Sequence, residues 1–343
     1  MMDKFVMIIF GASGDLTKRK LMPALYSLYR DKRLKGGFSV IGVGRTVYSD
    51  ADYRAYIYTE LEQFVKPDEQ DKELMDGFTQ HLYYLPIDPA IEAGYVRLRE
   101  RLQEITDEKE PDNLLFYLAT PPSLYGVIPL HLKKAHLNRG RARIIVEKPF
   151  GYDLYSAEEL NRIYASVFEE HQIYRIDHFL GKETAQNLLA FRFANGIFEP
   201  LWNRNYIDYI EVTAVENLGI EQRGGFYDTA GALRDMVQNH LIQLVALTAM
   251  EPPAVFNADT FRNEVVKVYE SLTPLTEEDF EEHIVRGQYT ASGSKKGYRE
   301  EKNVSPESRT ETYIAMKLGI SNWRWSGVPF YIRTGKQMPT KVT

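Results

Sequence analysis

A continuous apolar run followed by a glycine turn is the feature that most constrains the fold of this chain. Phe5–Phe10 form the run, and Gly11 and Gly14 frame the turn. Such a run is typical of a strand buried on both faces of a sheet. A basic segment, Thr17–Leu28, comes next and predicts a helix. A strand, a glycine turn and a helix in this order predict a βα unit of a parallel sheet, with a dinucleotide-binding loop at the turn.

The turn departs from the generic dinucleotide-binding pattern G-x-G-x-x-G. Ser13 and Leu16 stand at two of the glycine positions, so the generic match is weak. Glycine nevertheless lets a pyrophosphate approach the backbone, where a helix N-terminus can hold it. The alternative is a tight turn between buried elements, and the basic helix favours the nucleotide interpretation. The predicted cofactor contacts of this loop are Gly11, Ala12, Ser13, Gly14, Asp15 and Leu16.

The end of the second predicted strand indicates which nucleotide is bound. Phe38–Val43 form this strand, and Gly44, Arg45 and Thr46 follow it. Enzymes that use NAD usually carry a carboxylate here for the ribose hydroxyl, whereas an arginine attracts a 2′-phosphate. We therefore predict NADP, with NAD still possible, and contacts from Arg45 and Thr46. The alternative is that Arg45 is only a surface residue in a loop.

Strands and helices continue to alternate through the first half of the chain. Further strands are predicted at 81–85, 113–119 and 143–146, and helices at 90–107, 123–138 and 153–171. This alternation predicts a doubly wound parallel, Rossmann-like sheet, whose ligands bind beyond the carboxyl ends of the strands. Gly11, Arg45, Thr120 and Lys148 all follow such ends. We predict a dinucleotide-binding domain over residues 1–171, with a cis peptide bond before Pro149.

Residues 172–343 lack this regular alternation. Strands are predicted at 205–216, 283–291, 310–320 and 328–336, with a long helix at Thr229–Met250 and a mobile loop at 292–308. Strands without regular helical crossovers predict a second, larger α+β domain on a mainly antiparallel sheet. Glu216 shares a face with apolar residues of its strand, so a sugar hydroxyl is a plausible partner for it. The alternative is that Glu216 lies just past the strand, in water.

A short polar stretch at 175–183 joins a strand to a helix. It contains Asp177, His178 and Lys182, and Gly181 supplies the bend. A helix N-terminus beside an imidazole and an ammonium suits a phosphate group. The alternative is a solvated turn with a few charges.

This stretch, Arg-Ile-Asp-His-Phe-Leu-Gly-Lys-Glu, resembles the signature of the glucose-6-phosphate 1-dehydrogenase family. The family usually has Tyr where this chain has Phe179, which puts one hydroxyl contact to the substrate phosphate in doubt. The loop at 11–21 and the run at 231–241 are similar to the family as well, and the resemblance extends from end to end. Family members continue beyond the point equivalent to Thr343, so we expect this chain to be a fragment with an incomplete second sheet.

The resemblance implies NADP-dependent oxidation of glucose 6-phosphate at C1 to the 6-phospho-lactone, the first step of the oxidative pentose phosphate pathway. It implies that His240 is the base for the sugar hydroxyl, that Asp177 bonds its other ring nitrogen, and that His178 and Lys182 bind the phosphate. The alternative for His240 is a core histidine among apolar neighbours. The residues implied to position the sugar are Lys148, Glu216, Asp235, Lys336 and Lys341, and Lys148 is also implied to contact the cofactor.

Composition excludes several other classes of function. The 343 residues carry a net charge of -6 and a pI of about 5.8, which argues against nucleic-acid binding. No run is long enough to span a bilayer. The chain has no Cys, which excludes thiolate chemistry and fits a reducing cytoplasm. No metal-binding spacing is visible, and we predict no metal. By resemblance we expect a homodimer or homotetramer at full length.

Two other functions remain open at this stage. The first is an oxidoreductase for an unphosphorylated sugar, since Glu147-Lys148-Pro149 also occurs in related sugar-oxidising families. His178 and Lys182 argue against it, because a neutral sugar gives them no role. The second is a non-catalytic, truncated protein that binds NADP.

Overall fold

The structure, a computed structural model, describes residues 4–34, 37–109 and 111–343. The chain divides into two compact units, Met1–Ile176 and Asp177–Thr343. Each unit contains a β-sheet of its own, and hydrophobic clusters lie within each.

The first unit is built on a six-stranded sheet in which every pairing is parallel. The strand order is β3-β2-β1-β4-β5-β6. The strands are β1 (Phe5–Phe10), β2 (Phe38–Gly44), β3 (Leu82–Pro86), β4 (Leu114–Leu118), β5 (Arg143–Val146) and β6 (Ile173–Arg175). Consecutive strands run outward from β1 in both directions, so the predicted doubly wound sheet is confirmed and the loops after β1 and β4 share one edge.

Helices connect these strands. They are α1 (Met22–Arg30), α2 (Asp50–Phe64), α3 (Lys72–Thr79), α4 (Gly94–Thr106), α5 (Val127–Lys134) and α6 (Leu154–Ala165). A π-helical turn, Thr17–Leu21, leads directly into α1. Three helices are shorter than predicted, because their ends are formed by turns and 3₁₀ segments such as Pro122–Leu124 and Glu170–Gln172.

Strand β1 shows why the sequence reads as an unbroken apolar run. Val6, Ile8 and Phe10 belong to one hydrophobic cluster, whereas the alternate residues of the strand belong to another. Side chains of a strand alternate between its two faces, so helices must cover both. All six residues are buried. Full burial of one large apolar side chain contributes about 1.5–3 kcal/mol, so this strand is a main source of stability in the first unit.

The second unit contains a four-stranded sheet in the order β7-β10-β9-β8. Its strands are β7 (Ile210–Val215), β8 (Ile284–Gly287), β9 (Tyr313–Leu318) and β10 (Phe330–Gly335). The β10–β9 and β9–β8 pairings are antiparallel, whereas β10 pairs with β7 in parallel. The sheet is therefore mainly antiparallel, as predicted. The remaining helices are α7 (Glu183–Phe193), α8 (Gly224–Ala232), α9 (Ile242–Ala249), α10 (Ala258–Glu270) and α11 (Asp279–His283).

The single long helix predicted at Thr229–Met250 is wrong. Helix α8 starts earlier, at Gly224, and is kinked at Gly231, whose φ is 70°. A Cβ at Gly231 would lie 2.5 Å from Glu311 Oε1, so only glycine fits there. The chain then forms a π-helix over Leu233–Leu241 before α9 begins. The backbone N–H of Ile242 donates to the carbonyl of Val237, five residues back, as π-winding requires.

Polar contacts anchor the segment at 292–308 that we predicted to be mobile. Tyr298 is buried, and its hydroxyl donates to Asp228 Oδ1 at 2.9 Å. The backbone N–H of Ser305 donates to the other carboxylate oxygen of Asp228 at 3.4 Å. One buried aromatic ring and one carboxylate thus fix a segment whose composition is typical of a free loop.

The helices of this structure bear on whether the chain could span a membrane. Among the described residues, every helix is too short or too polar to cross a bilayer.

Candidate active site

An acid–imidazole pair lies within the second unit. Asp177 Oδ1 is 2.7 Å from His240 Nδ1, and the His240 side chain is 1% exposed. The same carboxylate oxygen accepts a hydrogen bond of 2.9 Å from the backbone N–H of Phe179 and so caps the 3₁₀ turn His178–Gly181. The sequence comparison with the family paired these two side chains, and the structure brings them into contact across more than sixty residues of chain.

Neighbouring groups stabilise the ionised form of Asp177. Burial by itself raises the pKa of a carboxyl group, but the hydrogen bonds from His240 and from the Phe179 N–H, together with the nearby His178, hold the pKa of Asp177 below its ordinary value. The carboxylate is therefore ionised at neutral pH. An ionised carboxylate at Nδ1 leaves the other ring nitrogen of His240 as the one that can exchange a proton with a ligand.

Aromatic rings enclose the imidazole of His240. Phe179 stacks on it with a centroid distance of 4.9 Å and an angle of 14° between the rings. The ring of His178 meets it edge-on at 4.9 Å. Phe179 is buried, whereas His178 is exposed. One histidine of this pair is thus fixed in the core, and the other faces solvent beside it.

Positive charge collects at the start of α7. Lys182 directly precedes this helix, and its Nζ lies 3.5 Å from the centroid of the Phe179 ring. The free N–H groups of a helix N-terminus attract anions, and the ammonium strengthens that attraction. His178, Lys182 and the helix start thus lie together at one turn, and anion binding there stays a prediction.

The same residues include a group with metal-ligand character. The ligand atoms of Asp177, His178 and His240 all lie within 4.8 Å of one another. No spacing in the sequence revealed this cluster, since it depends on the fold. Two of its members form the close acid–imidazole pair, which supports proton transfer as their role.

A second acid–base pair lies where β7 and β10 end. Lys336 Nζ is hydrogen-bonded to Glu216 Oε2, and this carboxylate side chain is 42% exposed. The backbone N–H of Glu216 donates to the carbonyl of Gly335, so the parallel pairing of the strands sets the two residues side by side. Glu216 lies just past its strand, as one of the two expectations held, but it has a cationic partner there.

Lys341 and Asp235 are related to this pair through different elements, the first through a β-bridge and the second through Tyr227. A β-bridge between Val215 and Val342 places Lys341 beside the end of β7. The Tyr227 ring lies 5.8 Å from Lys336 Nζ, and burial, followed by the charge of Asp235, raises the pKa of the Tyr227 hydroxyl. The four residues predicted to position the sugar in this unit therefore lie around the ends of β7 and β10 and the π-helix.

The π-helix changes how Asp235 and His240 are related around the helix axis. An α-helix, the form predicted for this segment, would place them on different stripes. Residues five apart are about 140° apart around an α-helix, but a π-helix closes its turn at i→i+5 and brings them to one face. Both side chains are buried. The sequence did not reveal this winding.

The carboxyl edge of the first sheet contains the predicted cofactor loop. Gly11 has a φ of 87°, and a Cβ there would lie 2.2 Å from the carbonyl oxygen of Ala119. The N–H of Gly14 donates to the carbonyl of Gly11 at 3.0 Å, and the hydroxyl of Thr17 donates to the same oxygen. The loop is thus a tight turn that brings the backbone close to the strand ends, with Ala12 buried beneath it and Ser13 and Asp15 exposed or partly exposed.

The side chains around this loop agree with a nucleotide site. Arg45 and Thr46 are exposed after β2, and Thr46 Oγ1 lies 3.4 Å from Ser13 Oγ. Thr120 follows β4 and would lie 3.5 Å from a Cβ on Gly11. Leu16 packs on a hydrophobic cluster of this unit, so it supports the loop from below.

Lys148 follows β5 at the same edge. The bond between Lys148 and Pro149 is cis, as predicted. The hydroxyl of Tyr117 donates to Glu147 Oε1 at 2.5 Å, which fixes the residue before Lys148. No pattern in the sequence indicated this contact. The signal for it would have been a tyrosine in β4 opposite the end of the neighbouring strand β5.

Comparisons with known proteins decide the family. The family model of the glucose-6-phosphate dehydrogenase NAD binding domain matches residues 8–187, and that of the C-terminal domain matches residues 189–343. The chain belongs to the glucose-6-phosphate dehydrogenase family. The resemblance seen in the sequence is therefore confirmed, together with the oxidoreductase class.

Relatives in this family are close. Glucose-6-phosphate 1-dehydrogenase from Aggregatibacter actinomycetemcomitans is 55% identical over 98% of this chain and 69% of that protein. The Bacillus subtilis enzyme is 47% identical over 99% of this chain and 70% of its own length. A solved glucose-6-phosphate dehydrogenase in complex with its substrate glucose 6-phosphate has a TM-score of 0.89 and 38% identity, and it covers 97% of this chain and 69% of that one.

Proposed function

We propose that this chain oxidises glucose 6-phosphate at C1 to the 6-phospho-lactone, with His240 as the base and Asp177 as its orienting partner. The observation that carries the proposal is the buried 2.7 Å contact between these two side chains beside a cationic helix start. A phosphorylated sugar needs both features, one for its hydroxyl proton and one for its phosphate.

The proton and electron balance assigns a role to each partner. The C1 hydroxyl proton passes to Nε2 of His240, the ring nitrogen that does not face Asp177, while the C1–O bond becomes a carbonyl and hydride leaves C1. When bound, NADP supplies the nicotinamide that accepts this hydride. Asp177 stabilises the imidazolium that forms and fixes the tautomer of the neutral ring.

Phosphate recognition rests on the start of α7. His178 and Lys182 bind the 6-phosphate, with the helix N-terminus as a third source of positive potential. The sugar ring is positioned by Glu216, Asp235, Lys336 and Lys341, which offer carboxylates and ammonium groups to its hydroxyls. For Lys148 we keep the role that the family implies, contact with both cofactor and sugar.

The residues of the first unit fit a dinucleotide. The turn packs so tightly that a Cβ on Gly11 would strike the Ala119 carbonyl, and Gly14 and Asp15 of the same turn are exposed and accessible to a pyrophosphate. Arg45 at the end of β2 carries no carboxylate neighbour in sequence that would repel a 2′-phosphate. We therefore infer that Arg45 and Thr46 bind the 2′-phosphate and favour NADP.

The assembly and the compartment are inferred from the family resemblance and from the composition. We infer a homodimer or homotetramer from the family resemblance and a cytoplasmic location from the absence of Cys.

The direct test measures NADPH formation by the purified chain with glucose 6-phosphate and, in parallel, with glucose. We expect turnover only with the phosphorylated sugar. Equal rates with glucose would favour an oxidoreductase for neutral sugars. NADP binding without turnover of either sugar would favour a non-catalytic binding protein, and size-exclusion chromatography on the same sample checks that the chain is folded.

Replacement of Arg45 by Asp tests the cofactor. We expect Arg45→Asp to weaken NADP binding by a few kcal/mol, about the loss of a bidentate charged contact, with little effect on NAD. The dissociation constants of both cofactors are measured by fluorescence titration. An unchanged ratio of the two constants would leave Arg45 as a surface residue.

A further inference from the structure

One buried ring touches both functional groups of the proposed site. Phe179 is 3% exposed and belongs to the hydrophobic cluster that fills the second unit. Its ring contacts Lys182 and stacks on His240, while its backbone N–H donates to Asp177. The three contacts therefore constrain an ammonium, an imidazole and a carboxylate, and each of these groups has a proposed chemical role.

The contact with Lys182 is of the cation–π type. The ammonium nitrogen lies 3.5 Å from the ring centroid, well inside the range of about 6 Å in which such attraction is significant. A phenyl ring accepts no conventional hydrogen bond, so the contact with Phe179 itself uses none of the N–H donors of Lys182. A tyrosine offers the same face and adds a hydroxyl.

The contact with His240 removes a rotation that Asp177 leaves free. A single contact at Nδ1 fixes one direction in the imidazole plane, but the ring can still turn about the line from Nδ1 to Oδ1. A parallel ring at a centroid distance of 4.9 Å fixes the plane itself. Aromatic pairs of this kind are worth about 0.5–1.5 kcal/mol beyond their area burial.

We propose that Phe179 is a positioning residue that holds the phosphate-binding lysine and the imidazole of the base in one geometry. This inference rests on the proposed function. The backbone N–H of Phe179 orients the carboxylate of Asp177. The ring of Phe179 orients Lys182 and the imidazole of His240. Substrate phosphate at Lys182 and proton removal at His240 thereby share one rigid support.

Two substitutions separate the ring from the rest of the residue. Phe179→Leu keeps the backbone N–H and an apolar side chain but removes the aromatic face. We expect its KM for glucose 6-phosphate to rise about 2- to 30-fold, the range of a cation–π contact, and its kcat to fall as well. Phe179→Tyr restores the ring, so we expect kcat to return to the wild-type value and KM to be equal or lower.

A double-mutant cycle tests whether the ring acts through Lys182. Lys182→Met retains most of the side-chain stem without the charge. We expect Phe179→Leu to raise KM much less in the Lys182→Met background than in the wild type, because the shared contact is already gone. Strictly additive effects on KM would overturn the coupling between ring and lysine.

A matched control accounts for loss of a buried ring. Phe330 is fully buried in the same hydrophobic cluster and packs edge-on against Trp325. Phe330→Leu should lower the thermal midpoint without raising KM for glucose 6-phosphate. NADP binding should be unchanged in every variant. If both Leu variants change KM and kcat equally, Phe179 is only a core residue.

An assay without turnover keeps this inference separate from the proposed function. The imidazole proton resonances of His240 lie within the ring current of Phe179, so we expect NMR spectra to show a displacement that Phe179→Leu abolishes and Phe179→Tyr retains. If Phe179→Leu loses this displacement but the wild type oxidises no glucose 6-phosphate, the proposed function is refuted while the positioning of His240 by Phe179 is supported. An unaltered His240 spectrum in Phe179→Leu would refute the inference itself.

Discussion

The second unit contains two acid–base pairs of similar composition and opposite surroundings. In the pair Asp177–His240 the side chains are 16% and 1% exposed, whereas in the pair Glu216–Lys336 they are 42% and 12% exposed. Burial makes an unpaired charge expensive, so the first pair must stay together to be stable. The second pair is partly in water and is easily opened by a ligand. A buried pair is therefore suited to proton transfer, and a partly exposed pair is suited to binding a ligand.

The imidazole member of the buried pair should have the largest effect. We expect His240→Asn to bind substrate and cofactor but to lose turnover by about 10²–10⁴, or more if no other group replaces the base. Steady-state kinetics and separate binding titrations measure the two effects. Near-normal turnover in His240→Asn would mean that another residue is the base.

The carboxylate member should have a smaller effect that depends on its partner. We expect Asp177→Asn to slow turnover, because an amide cannot stabilise the imidazolium. The double variant with His240→Asn should be little worse than His240→Asn alone, since the two side chains act as one unit. Independent, multiplicative losses in kcat would break the pair into two separate contributions.

Opening the exposed pair should change binding more than chemistry. We expect Lys336→Met to raise the KM for glucose 6-phosphate several-fold and to leave kcat within about tenfold, the size of one hydrogen-bonded contact. The free energy of unfolding should change by about 0–1 kcal/mol, as for other partly exposed pairs. A kcat loss as large as that of His240→Asn would erase the distinction between the two pairs.

The two pairs should differ least in how they affect the free energy of unfolding at acidic pH. The pKa of Asp177 in the folded state is below its ordinary value of 3.8, so the unfolded chain takes up the proton more readily. Its contribution to the free energy of unfolding is complete above that ordinary value and is lost as pH falls through the lower folded value. Asp177→Asn should lack this component, and Glu216→Gln should keep it. Denaturant unfolding at a series of acidic pH values provides the measurement, and identical curves for both variants would contradict it.

The first sheet was predictable because its physics is local. A strand buried on both faces must be apolar throughout, and a strand followed by a helix fixes a parallel neighbour. Gly11, Arg45, Thr120 and Lys148 therefore came to one edge as the alternation required. The sequence did not reveal the contact of Tyr117 with Glu147, because it depends on the register of two strands.

The second unit was less predictable for an equally physical reason. An alternating strand reads the same in a parallel or an antiparallel pairing, so the β7–β10 contact could not be foreseen. The spacing of apolar residues in 229–250 predicts a helix but not whether each N–H donates four or five residues back. The contact of Asp177 with His240 was expected through family resemblance, whereas the stack on Phe179 was not anticipated.

The π-winding of Leu233–Leu241 has a consequence for how this chain can vary. A π-turn holds one more residue than an α-turn over the same rise, so its geometry behaves as a built-in insertion. At the present length, straightening this segment into an α-helix would place Asp235 and His240 about 140° apart around the axis. Deletion of one residue between them would let the backbone relax to an α-helix in which the two, now four residues apart, still share one face. The winding and the number of residues in this segment are therefore coupled, and a change in one can offset a change in the other.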